Sequence, residues 1–265
     1  MFDRFQREID YLRVSVTDRC NLRCIYCMPQ EGVPDLPHDA ILSYEEILDV
    51  VQTAVAMGVT KVRLTGGEPL VRNGIVAFVR MLAGIAGIRD LAMTTNGTLL
   101  CDMAGPLAEA GLQRVNVSLD AIAPEAYAAI TRGGNVRDVL AGIDAAREAG
   151  LGPIKLNCVI EQSPDEPDAR GVAAYAAREG LELRYIPRIY LDRGTFAQVI
   201  GGRGGDCTHC NRLRLSSDGL VRPCLFSDVA FSVRELGVRE ALERAVREKP
   251  AAGDVSHARF SAIGG

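Results

Sequence analysis

Six of the eight cysteines fall in two triplets. Cys20, Cys24 and Cys27 follow the spacing Cys-x3-Cys-x2-Cys, and Cys207, Cys210 and Cys224 follow Cys-x2-Cys-x13-Cys. Cys101 and Cys158 stand alone between them. A disulfide framework belongs to short secreted chains, so tight triplets here read as metal sites in a reducing compartment. Spacing of this kind gathers three thiolates within one loop. A tetrahedral structural zinc needs four ligands, whereas three thiolates on a four-iron cube leave one iron open for chemistry. The competing reading is zinc that borrows a distant Cys or His. For the second triplet the neighbour is His209, which lies between Cys207 and Cys210 and reads as a bystander.

Other residues near the triplets carry chemistry of their own. Arg212 and Arg214 are two apart, so they share one face of an extended segment. Two guanidiniums on one face suit a phosphate or carboxylate. In Thr65-Gly66-Gly67-Glu68-Pro69, glycines allow close backbone approach and a carboxylate can orient an ammonium group. Glu68 and Asp120 are carboxylates on which acid–base work is conceivable, and structural roles are the expectation for both. Cys158 reads as core packing, and Cys101 has no assigned role.

These groups must be held by something, and the pattern shows what. Strand-like runs at 12–16, 61–64, 90–94, 114–119, 154–160 and 181–186 alternate with helical stretches. One helix starts at Ser43 with Glu46 three residues on, a capping box, and runs to Gly58. Another covers 136–149 and stops at Gly150. Six strand–helix repeats mean a parallel α/β sheet. Each strand alternates: Leu12, Val14 and Val16 oppose Arg13, Ser15 and Thr17. Likewise Val62 and Leu64 oppose Lys61, Arg63 and Thr65; Val115, Val117 and Leu119 oppose Asn116, Ser118 and Asp120; Leu156, Cys158 and Ile160 oppose Lys155 and Asn157. The apolar face suits helices. The polar face must line a wet or ligand-filled lumen, because unpaired buried charge is costly. The expected fold is a partial (β/α)6 TIM-like barrel over residues 1–188. Residues 189–265 form a C-terminal extension over its opening, carrying the second cluster, a possible strand at 196–200, one helix near 233–247 and no core of its own.

Composition narrows the class. The chain has 265 residues, 30 basic against 34 acidic, for a net charge of −4. With 48% hydrophobic and 24% charged residues it is globular rather than disordered. Mild acidity and 5% aromatics without Trp speak against a nucleic-acid polymer as partner. The N-terminal segment has no apolar core of the secretory kind, and no apolar run approaches a membrane span.

The motifs then carry a resemblance. Cys20-Asn-Leu-Arg-Cys24-Ile-Tyr26-Cys27, followed by Gly66-Gly67-Glu68-Pro69, resembles the signature of the radical S-adenosylmethionine enzymes. In that family the open iron chelates S-adenosylmethionine and an electron cleaves it to an adenosyl radical. The stretches YLRVSVTDRCNLRCIYCMP, KVRLTGGEPLVR, MTTNGTLL, VNVSLD and CTHCNRLRLSSDG, with the terminal Gly264-Gly265, closely resemble the GTP 3′,8-cyclase family of molybdenum cofactor biosynthesis. That resemblance implies two [4Fe–4S] clusters on the two triplets, and S-adenosylmethionine held by Tyr26, Gly66, Gly67, Glu68 and Ser118. It implies GTP held by Arg13, Arg63, Thr94, Lys155, Arg212 and Arg214, with Arg212, Arg214, Gly264 and Gly265 at the reacting end. It further implies a low-potential electron donor such as flavodoxin or ferredoxin, a next pterin-pathway enzyme that takes the product, a cytoplasmic location, and a monomer or homodimer. The chain departs from the family in three ways: several dozen residues are missing before the second triplet, Ile189 replaces a common Met, and Pro187 replaces a common acid. A two-cluster radical enzyme acting on another nucleotide or a peptide, and a non-enzymatic zinc module, remain alternatives.

Overall fold

The computed structural model describes residues 1–32, 34–258 and 263. Six β/α units come first. Strands β1 (Tyr11–Ser15), β2 (Lys61–Thr65), β3 (Asp90–Thr95), β4 (Arg114–Ser118), β5 (Lys155–Ile160) and β6 (Glu182–Pro187) pair in parallel, each with the next. Between them run α1 (Tyr44–Ala56), α2 (Ile75–Ala83), α3 (Leu100–Glu109), α4 (Pro124–Thr131), α5 (Val136–Glu148) and α6 (Pro167–Glu179). The capping box forms as expected. Ser43 Oγ accepts from the Glu46 N–H at 3.1 Å, and Glu46 Oε2 accepts from the Ser43 N–H at 2.7 Å.

The sheet continues past residue 188. Strand β7 (Arg212–Leu215) lies parallel to β1 on its free edge, and the antiparallel β8 (Leu220–Arg222) and β9 (Phe231–Ser232) follow. The strand order is β6-β5-β4-β3-β2-β1-β7-β8-β9, an open sheet rather than a closed ring. The extension therefore adds a seventh parallel strand to the barrel instead of only covering its mouth.

Three other expectations for the extension need correction. Residues 196–200 form no strand; Ile200 makes only an isolated bridge to Tyr185. The single helix expected near 233–247 is two, α7 (Val233–Leu236) and α8 (Val238–Arg247). They part at Gly237, whose φ of 80° breaks the helix. The extension also has a small apolar cluster of its own, Leu191, Phe226 and Ile263, with Ile189, Phe196 and Leu225 packed against it.

Alternation sorts the side chains as expected. Leu12, Val14, Val62, Leu64, Val115, Val117, Leu156 and Cys158 are buried against the helical layer. Burying each large aliphatic side chain contributes about 1.5–3 kcal/mol. The opposite face turns its polar side chains toward the concave side.

Candidate active site

The concave side encloses a cavity of about 610 Å³ that reaches both cysteine loops: Tyr26 lines one part of it, and His209, Asn211 and Leu225 line another. Its walls hold eight arginines and one lysine, against Asp90 as the one carboxylate among the described lining residues. Strand register sets the arginines in rows. Arg13 of β1 stands beside Arg63 of β2 on one side and Arg214 of β7 on the other. In the neighbouring row, Tyr11 stands between Lys61 and Arg212. The Arg63 and Arg212 guanidiniums each lie 5.8 Å from the Tyr11 ring centroid, within cation–π range. Like charges placed opposite each other across strands destabilise a sheet. Burial, with Arg214 next to it, pushes Arg13 down to about 9, and burial, with Arg212 next to it, pushes Arg214 down to about 10. Burial and then the charge of Arg63 lower Arg184 as well.

Some of this charge is matched. Lys61 pairs with Asp10 at 2.8 Å, Arg114 donates through Nε to Asp90 Oδ1 at 2.9 Å, and Arg188 pairs with Glu161. Among the described residues, Arg63, Arg184 and Arg212 have no carboxylate within ion-pair distance, and the Nε of each is buried without a hydrogen-bond partner. Arg63 does reach Thr94 Oγ1 at 3.4 Å. Such a wall is suited to a polyanion whose oxygens accept from several guanidiniums at once.

The first cysteine loop follows β1. A turn within it is held by Cys27 N–H donating to the Cys24 carbonyl at 2.9 Å. Cys20 Sγ accepts from Leu22 N–H at 3.4 Å and lies 3.9 Å from Asn96 Nδ2. Burial pushes the Cys24 and Cys27 thiols up to about 12, so a bound metal must supply the charge that holds them as thiolates. Tyr26 donates its hydroxyl to Asp120 Oδ2 at 2.6 Å, and Asp120 Oδ1 accepts from Val159 N–H at 2.8 Å. Asp120 thus fixes the ring of Tyr26 at the cavity wall, the structural role expected for it.

The Gly-Gly-Glu loop braces this segment from behind. Gly67 N–H donates to Thr17 O at 2.7 Å and Glu68 N–H to Arg19 O at 2.8 Å. A Cβ on Gly67 would sit 2.2 Å from Arg19 O, and one on Gly66 2.6 Å from Thr17 O. The glycines are required because two backbones touch, and neither lines the cavity. Glu68 is fully buried, and its carboxylate accepts from Leu70 N–H, Thr95 Oγ1–H and Asn96 N–H at 3.0, 2.7 and 2.7 Å. Burial raises Glu68 to about 7. These contacts pin the cysteine loop to the end of β3.

Among the described residues, no three His, Cys, Asp or Glu side chains converge on a position for one metal ion. A four-iron cube offers each of three thiolates its own iron. Cys210 differs from the first triplet: burial raises it, but Lys249, a backbone hydrogen bond and Arg212 outweigh that and lower it. Both donor sets, three soft thiols in each loop, fit iron–sulfur ligation. His209 bonds Asp206 at 2.9 Å and Thr208 at 3.0 Å through Nδ1.

Of the expected substrate and cofactor residues, the cavity brings together Arg13, Tyr26, Arg63, Thr94, Ser118, Arg212 and Arg214. Lys155 is not brought in. It shares a strand face with Asn157 but is held in an ion pair by Glu182 of β6. Gly264 and Gly265 lie outside the described residues. Tyr11, Arg114, Asn157 and Arg184 line the cavity without having been singled out in the sequence; their signal was their position on the polar face of a strand.

Residues 14–162 match the model of the Radical SAM superfamily. Over 94% of both chains, this one is 40% identical to a GTP 3′,8-cyclase of Thermodesulfovibrio yellowstonii. It is 39% identical to that of Alkaliphilus oremlandii, with both chains covered end to end. The chain belongs to the GTP 3′,8-cyclase family of radical SAM proteins. The second alignment spans 320 positions against 265 residues here, so 55 positions lie opposite gaps. Solved structures share the fold at low identity: anSMEcpe with bound AdoMet at TM-score 0.65 and 14% identity, over 96% of this chain and 79% of that one. Methylornithine synthase follows at TM-score 0.57 and 16% identity, over 69% of this chain and 54% of that one. This cyclase-family chain thus has the radical SAM fold and is shorter than the relatives it aligns with.

Proposed function

We propose that this chain is a radical S-adenosylmethionine enzyme that converts GTP to (8S)-3′,8-cyclo-7,8-dihydroguanosine 5′-triphosphate. The observation that carries the reading is the row of Arg63, Arg13 and Arg214 side by side on three neighbouring strands. Guanidiniums at neighbouring register positions on three strands suit a polyanion such as a triphosphate, whose oxygens accept from several of them at once.

Cys20, Cys24 and Cys27 would hold one [4Fe–4S] cluster, and Cys207, Cys210 and Cys224 the other. When bound, the first cluster and S-adenosylmethionine supply the radical that takes the 3′-hydrogen of GTP so that C3′ can bond to C8. The protein contributes placement. Arg13, Arg63, Arg212 and Arg214 clamp the triphosphate, and Thr94 fixes the Arg63 guanidinium. Tyr26, held by Asp120, and Ser118 border the S-adenosylmethionine side. Ile186, Ile189, Phe196 and Phe226 give that lumen apolar wall and limit water at the reacting carbons. The second triplet borders the far part of the cavity, where the base would lie. Ile189 and Pro187 both line the cavity, so the two departures from the family bear on the pocket itself.

A low-potential donor such as flavodoxin or ferredoxin would deliver the electron, and the next pterin-pathway enzyme would take the product. Among the described residues, no helix is long and apolar enough to cross a membrane. The test is anaerobic incubation with S-adenosylmethionine, reductant and each of the four nucleoside triphosphates. Cyclised product from GTP alone is expected. Adenosyl cleavage with a product from another nucleotide, or only with a peptide, would favour the related-enzyme reading, and zinc in place of iron the binding-module reading.

A further inference from the structure

Beneath the second cysteine triplet lies a buried cation that neither the clamp nor the core accounts for. Lys249 follows α8 and is 2% exposed. Its Nζ donates to Arg212 O at 2.7 Å and to Pro223 O at 2.6 Å. The Cys210 and Cys224 thiols lie close enough to feel its charge. Arg7 reaches the same place from the N-terminus and donates to the carbonyls of Cys207, Pro250 and Ala251 at 2.7, 2.6 and 3.2 Å. Asp3 neutralises Arg7 at 2.6 Å. Among the described residues, no carboxylate lies within ion-pair distance of Lys249.

A buried ammonium needs a counter-charge. The negative charge within its reach is sulfur, as the thiolates of Cys210 and Cys224 in their metal-bound form. Lys249 is also tied by hydrogen bonds to two functional parts at once: the backbone of Arg212 in the clamp and the carbonyl before Cys224. We propose that Lys249 is a positioning and charge-compensating residue of the second cluster, coupling its thiolates to the strand that carries the phosphate-binding arginines. The inference rests on the reading that the second triplet holds a cluster. Partners that donate to cluster sulfurs set cluster potential and ligand orientation, so a fixed ammonium there stabilises the reduced, more negative state.

The test uses the full chain with Cys20, Cys24 and Cys27 replaced by Ala, so that only the second cluster contributes. This reference is compared with its Lys249→Met and Lys249→Arg variants for iron per chain and cluster midpoint potential, with circular dichroism as the check on folding. The reference should hold about four irons. Lys249→Met should lose at least half of them, and its remaining cluster should titrate at a more negative potential. Lys249→Arg should recover most of the iron. Full iron and an unchanged potential in Lys249→Met would overturn the inference, as would equal loss in both variants, which would point to shape rather than charge. A reference that takes up no iron would instead overturn the second-cluster reading itself.

Discussion

At the scale of single residues, the site is an argument about charge. Arg212 and Arg214 share an inward face because they alternate along β7, and register sets them beside Tyr11 and Arg13. Charge-assisted hydrogen bonds are worth roughly 1.5–3 kcal/mol each, so Arg212→Ala or Arg214→Ala should weaken GTP binding about ten- to a hundredfold by calorimetry. Unchanged affinity in both would mean that the row does not meet the triphosphate. Arg13, Arg63 and Ser118 were legible in the sequence because each sits opposite an apolar neighbour in a clean alternation. Tyr11 was not, because it precedes the first apolar residue of its strand. Lys155 shows the limit of such reasoning: alternation names the face, but the ion pair with Glu182 decides where the ammonium goes.

At the scale of elements, the loops matter more than the strands. The Gly66–Gly67 contact with the 17–19 backbone makes the first cysteine loop depend on a neighbouring loop. Gly67→Ala cannot be accommodated without moving Arg19, next to Cys20, since its Cβ would meet Arg19 O at 2.2 Å. The variant should lose about half of the iron of a two-cluster protein, from the first site, and keep the second. Iron content equal to the parent would show that the loop adjusts without cost. The six β/α repeats were legible because each strand is long enough to show a period. Strand β7 was not, because four residues between two cysteines carry too little pattern. Gly237 likewise split a helix whose amphipathic stripe runs on across it.

At the scale of the whole molecule, the second cysteine triplet and the barrel form one surface. The sheet crosses residue 188, and the cavity touches loops from both halves. Ile263 is buried against Phe226, which lines the cavity, and the two terminal glycines follow it. Deleting Gly264 and Gly265 should therefore leave iron and S-adenosylmethionine binding intact and remove most cyclised product, with 5′-deoxyadenosine still forming. Equal product from the truncated chain would make the tail an ordinary terminus.

By the proposed function, the cavity presents the ribose of GTP to radical chemistry begun at the first cluster. This is tested most directly with GTP deuterated at C3′, under anaerobic turnover with S-adenosylmethionine and reductant. Deuterium should appear in 5′-deoxyadenosine, in step with the formation of the 3′,8-cyclised nucleotide. Unlabelled 5′-deoxyadenosine beside unchanged GTP would contradict the account.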